Sequence, residues 1–225
     1  MATHLDLEEQ EQLDQLKAFW QRYGNLVTWA LVAVLGAYAA WNGWNYWQRD
    51  QAGKAALMYD ELDVAARAGD AERTINIFAD MRGRYAGALP TQQGGLLAAR
   101  VAVEKGRIDD ARAALAWVAD NASDASYRAV ARLRLAGLAF DERKYDDALK
   151  QLAAVDGGEF SALVADRRGD VLEAQGKLPE ARAAYEAAWQ GMDPEAEYRR
   201  LIEAKLNVVG GAVPAAAARA SGATP

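Results

Sequence analysis

Between Tyr23 and Gln48 the chain carries no charged residue, while beyond that run apolar and charged positions alternate at helical intervals. The pattern implies two different solvents for one chain. Leu26 to Trp47 is 22 residues, which as a helix spans about 33 Å, close to the roughly 30 Å hydrocarbon thickness of a bilayer. Trp20, Tyr23 and Trp29 lie near one end and Trp41, Trp44, Tyr46 and Trp47 near the other, where interfacial aromatic belts are expected. The pattern therefore predicts a single membrane-spanning helix within residues 25–48. It follows a head, residues 1–24, whose Leu13, Leu16 and Trp20 share one helical face.

Three other readings of the apolar run fit less well. Ala37-Tyr38-Ala39 imitates a signal-peptide cleavage site, but the head is long and acidic where a signal peptide is short and basic. An uncharged run of this length is uncommon in a soluble core, and an interfacial helix would need a charged face. Orientation stays open, because Lys17 and Arg22 on one flank are balanced by Arg49 and Lys54 on the other. Within the run, Ala33, Gly36, Ala40 and Gly43 fall within about 80° of one another on a helix, a stripe of small residues of the kind that admits a second helix.

After the membrane segment, a continuing helix to Arg67 leads into four related stretches: Gly69-Asp70-Ala71-Glu72-Arg73-Thr74, Gly106-Arg107-Ile108-Asp109-Asp110-Ala111, Arg143-Lys144-Tyr145-Asp146-Asp147-Ala148 and Gly176-Lys177-Leu178-Pro179-Glu180-Ala181. Their last residues are 37, 37 and 33 apart. Each pairs a glycine or basic residue that ends one helix with acidic residues that open the next. A period near 34 with two helices per unit is the tetratricopeptide geometry. Gly169, Ala136 and Ala99 take the small position where two helices cross, and Ala111, Ala148 and Ala181 the small position of the second helix. The first unit, around Thr74 and Phe78, is degenerate, and Ala102, Ala139 and Leu172 stand where the pattern has an aromatic residue.

The expected fold is all-α, a single N-terminal transmembrane helix followed by a tetratricopeptide-like right-handed solenoid of helical hairpins over residues 49–207. Hairpins run to about Gln190, a last helix from Glu195 to Leu206 covers the open end, and residues 208–225, rich in Ala, Gly and Pro, form a disordered tail.

Composition then narrows the chemistry. A net charge of -6 argues against nucleic acid. Without cysteine there is no disulfide framework or zinc-thiolate site. The one histidine, His4, lies in the head, so no serine, histidine and carboxylate triad can be assembled in the repeats. Asp109-Asp110 and Asp146-Asp147 read as helix-start charges rather than an acid and base pair. No catalytic, cofactor or metal site is expected. The remaining candidate is a partner-binding groove on the first helices of the hairpins, lined by Leu96, Arg100, Leu133, Phe140, Leu163, Asp166, Asp170 and Glu173, apolar with an acidic end. Leu133 and Phe140 also suit a purely core role.

Several runs in order, covering nearly all but the last 18 residues, carry a resemblance to a family: Glu11-Gln12-Leu13 leading into Leu16-Lys17-Ala18-Phe19-Trp20, Gly43-Trp44-Asn45-Tyr46-Trp47, Ala131-Arg132-Leu133-Arg134-Leu135-Ala136, Val164-Ala165-Asp166-Arg167-Arg168-Gly169-Asp170, and Lys205-Leu206-Asn207. The chain resembles the YfgM-like ancillary subunits of the SecYEG translocon. That resemblance implies a bacterial inner-membrane protein with its N-terminus cytoplasmic and its repeat domain periplasmic. The implied partners are the translocon, a PpiD-type periplasmic chaperone, exported client proteins and the lipid bilayer. A tetratricopeptide scaffold for another envelope complex is the alternative, and an enzyme a more distant one.

Overall fold

The computed structural model describes residues 7–211, with side chains from residue 13 onward. His4 and residues 212–225 of the tail assigned to 208–225 lie outside the described residues, while Val208, at the start of that assignment, still belongs to the last helix. Among the described residues every regular element is helical: α1 (Leu7–Arg67), α2 (Ala71–Arg84), α3 (Leu89–Glu104), α4 (Ile108–Asn121), α5 (Ala125–Asp141), α6 (Tyr145–Ala153), a 3-10 turn (Gly158–Phe160), α7 (Ser161–Ala174), α8 (Leu178–Gly191) and α9 (Tyr198–Val208). The chain divides into two units, residues 1–51 and 52–225.

In the first unit, head and apolar run form one unbroken stretch of helix, which no proline interrupts. By length and composition this stretch can cross a membrane. Leu26, Trp29, Leu31, Val34, Leu35, Tyr38, Trp41 and Trp44 all expose more than half of their surface, a display that water penalises and lipid does not. Gly36 and Gly43 have open space beside them.

The second unit is a succession of hairpins. The end of α1 shares a core with α2 through Leu62, Phe78 and Met81, α3 pairs with α4, α5 with α6 and α7 with α8, and from α2 onward each helix packs on the next. All four hairpin turns share one geometry. Gly69, Gly106, Arg143 and Gly176 have φ of 70°, 72°, 60° and 74°. Each donates its N–H to the carbonyl three residues back, and the following residue donates to the carbonyl five back, as in Gly106 to Val103 at 2.9 Å and Arg107 to Ala102 at 2.8 Å. This is a Schellman closure, which satisfies the last carbonyls of the first helix and needs the left-handed region at one residue. Three turns use glycine, and the third forces Arg143 into a conformation disfavoured for side-chain-bearing residues by about 1 kcal/mol. Replacing Arg143 by glycine is expected to raise unfolding stability by about 1 kcal/mol, read as a higher urea midpoint at unchanged slope.

Close helix approaches account for two further glycines. A Cβ on Gly169 would lie 2.4 Å from Cε1 of Tyr185, and one on Gly95 would lie 2.4 Å from Cγ2 of Val118. In the α3/α4 hairpin, therefore, the tightest crossing is at Gly95, one helical turn before the buried Ala99 that the repeat pattern indicates. In the degenerate first unit the crossing position holds Leu62, fully buried. Gly94 makes room for it, since a Cβ there would sit 3.3 Å from Leu62 Cδ1.

The last helix starts at Tyr198, three residues later than the pattern indicates. The Asp193 carboxylate accepts the Glu195 N–H at 2.9 Å and its carbonyl the Ala196 N–H at 3.0 Å, so this segment is a turn. Ile202 and Leu206 then bury against Leu172, Tyr185 and Trp189, covering the end of the stack.

Candidate groove on the first helices

α3, α5 and α7 lie side by side. Between α5 and α7 a cleft of about 890 Å³ is lined by Leu133, Phe140 and Leu163, with Leu152 and Val171 also on its walls. Leu133 and Phe140 also pack on the buried Ala136, Ala148, Leu152 and Val171, so they serve core and cleft together. Arg167, Asp170 and Glu173 supply charge on the α7 side. A smaller cleft of about 290 Å³ between α3 and α5 holds Arg100 and Glu104. Arg134, Gly137 and Asp141 border both clefts.

Behind the acidic end lies a polar cluster that ties α7 to α8 and α9. Asp166 is fully buried; it accepts the Tyr198 hydroxyl at 2.7 Å and the Lys205 ammonium at 2.8 Å. Lys205 Nζ also lies 2.7 Å from Asp170. The Tyr185 hydroxyl is 2.7 Å from Glu173 and 2.9 Å from Asp170, one proton for two acceptors. A buried carboxylate is tolerable only when paired in this way.

The tetratricopeptide repeat-like domain family matches residues 17–211. A protein of Neisseria gonorrhoeae named ancillary SecYEG translocon subunit is 29% identical over 208 residues, covering 92% of this chain and 99% of its own. The Escherichia coli protein of the same name is 30% identical over 201 residues, 88% of this chain and 95% of its own. The chain belongs to this family. A third ancillary SecYEG translocon subunit, from Haemophilus influenzae, is 28% identical over 186 residues.

For a member of the ancillary-subunit family, the predicted groove residues fall into three groups. Leu133, Phe140, Leu163, Asp170 and Glu173 border one cleft and Arg100 the neighbouring one. Leu96 is packed against the core around Phe78 and Leu115, with its carbonyl accepting from Arg134 at 3.1 Å. Asp166 departs from the expected position, since it is wholly enclosed by α9 rather than open to a partner. The small stripe Ala33, Gly36, Ala40 and Gly43 is exposed on α1. Sequence reasoning missed Arg134, whose place three residues before Gly137 marks the same face of α5, and the Lys205 partner of Asp166. The run Lys205-Leu206-Asn207 was visible only as a family signature.

The cluster sets an alkaline limit. Burial, then hydrogen bonding to Glu173 and Asp170, pushes the Tyr185 hydroxyl well above the ordinary tyrosine range. Burial and Asp166 do the same to Tyr198. For Lys205 burial works downward, but hydrogen bonds to Asp166 and Asp170 outweigh it and raise the ammonium. All three hold their protons in the folded state at pH values where the unfolded chain has released them. Their contribution is thus complete below about pH 10, the ordinary range of these groups, and is lost as pH rises above it. Circular dichroism melts should show stability falling between about pH 10 and 11, with a weaker fall in Tyr198→Phe.

Proposed function

We propose that this chain is an inner-membrane-anchored adaptor of the SecYEG translocon, non-catalytic, with its N-terminus cytoplasmic and its repeat stack periplasmic. The observation that carries the reading is the near full-length match to relatives named ancillary SecYEG translocon subunits. The apolar segment of α1 supports the anchoring, and the clefts on α3, α5 and α7 support a binding role. Through that face the stack engages a PpiD-type chaperone and newly exported proteins. Crosslinking in native membranes followed by mass spectrometry should recover translocon components together with a chaperone. Recovery of an unrelated envelope complex in their place would favour the scaffold alternative, and recovery of neither would refute the adaptor. A reporter active only in the periplasm, fused after Pro225, should be active.

The exposed stripe Ala33, Gly36, Ala40 and Gly43 has a place in the same reading, as the face on which α1 packs against a neighbouring membrane helix. Gly36→Leu with Ala40→Leu should leave membrane insertion intact and reduce translocon recovery several-fold. Unchanged recovery would reduce the segment to a tether.

A further inference from the structure

The adaptor reading leaves the chemistry of the groove's ligand undefined, and Arg134 supplies it. Its guanidinium carries five N–H donors, and one bond is made, from Nη1 to the Leu96 carbonyl at 3.1 Å. Among the described residues it makes no ion pair, whereas Arg167, on the wall of the same cleft, faces Asp170 at 3.4 Å. Arg100, its neighbour across the smaller cleft, is held only by Glu104 at 3.6 Å, with both side chains largely in water. The Arg134 side chain stays accessible to water at the border of the two clefts, while partial burial, then the charge of Arg100, lowers its guanidinium.

The geometry points to an extended peptide with an acidic side chain beside a bulky apolar one: the carboxylate is held by Arg134 with Arg100, and the apolar side chain enters the cleft walled by Leu133, Phe140 and Leu163. Arg134 borders both clefts, so the two halves of the motif are adjacent. A guanidinium fork takes a carboxylate through two parallel hydrogen bonds, and a partly desolvated site strengthens them. At the α7 end Arg167 already faces Asp170, which is also bound to Lys205, and Glu173 holds Tyr185, so the cation without a carboxylate partner is Arg134, toward the α3/α5 end. This assignment rests on the adaptor reading and specifies its ligand.

The test uses the full chain in detergent micelles and short fluorescein-labelled peptides, amidated at the C-terminus, in which one aspartate stands before or after a Phe-Leu pair. Fluorescence anisotropy should show at least one order binding, with affinity falling about tenfold when the aspartate becomes asparagine. Arg134→Gln should abolish that preference while Arg182→Gln, on α8, keeps it. Gly137 borders both clefts with open space beside it, so Gly137→Leu should block both peptides without loss of thermal stability. Equal affinity of the acid and amide peptides, or a preference that survives Arg134→Gln, would overturn the assignment, as would binding that emerges only after residues 212–225 are removed or that competes with self-association. Translocon recovery by crosslinking, unaffected in Arg134→Gln, would show that the adaptor reading survives such a failure.

Discussion

Gly169→Ala is expected to cost the repeat domain about 2–3 kcal/mol. The new Cβ would meet the Tyr185 ring at 2.4, 2.5 and 2.9 Å. Overpacked cores usually relieve such a clash by turning the neighbouring side chain, but Tyr185 is fully buried, with its hydroxyl bound at Glu173 and Asp170. Helices α7 and α8 must separate instead, in the most intimate pairing of the stack. Urea denaturation should place the variant midpoint well below that of the parent chain. Coupling is expected too: in Gly169→Ala with Tyr185→Leu the second change should cost less than it does alone, because the clash is gone. A Gly169→Ala protein as stable as its parent would show that the two helices are not held where the structure puts them.

Lys205→Met should be comparably damaging, by about 3 kcal/mol. The substitution keeps most of the side-chain stem and removes the ammonium, leaving Asp166 wholly buried with only the Tyr198 hydroxyl as a partner. Asp170 loses its closest cation at the same time. The effect should be local in character: amides of α9 exchange first, since Ile202 and Leu206 are its main remaining hold on the stack. Adding Asp166→Asn to Lys205→Met should recover part of the loss, because no uncompensated charge then remains. Full stability in Lys205→Met alone would refute the buried-pair account.

These two sites were unequally legible in the sequence. Gly169 could be read directly, because a crossing of two helices needs a small residue and its distance from the turn glycine Gly176 repeats in Ala99 and Ala136. The four turns were legible for a similar reason, since left-handed backbone selects glycine locally. Arg143 shows that the selection is a preference, and the repeat period identified that turn despite its side chain. Asp166 was misplaced because an acid on α7 looks, by spacing alone, like part of a solvated face. Its meaning depends on Lys205, 39 residues on in a different helix, and no local pattern connects them. Gly95 escaped because its demand comes from Val118 in the neighbouring helix. Of the groove, the apolar residues on α5 and α7 could be placed by register. Arg134 could not, since its place between two clefts depends on how α3, α5 and α7 assemble, which spacing along α5 does not reveal.

The buried carboxylate of Asp166 also restricts how the stack can change in length. Whatever helix follows the α7/α8 hairpin must bring a cation and a hydroxyl to the same spot, as α9 does with Lys205 and Tyr198. A hairpin duplicated between α8 and α9 would meet Asp166 without that pair and would separate α9 from the carboxylate its Tyr198 and Lys205 hold. Growth or loss of hairpins is therefore easier on the side of α7 nearer the N-terminus, where neighbouring units join through apolar contacts such as Phe78 on Trp117, and the C-terminal end behaves as a terminus that fits once.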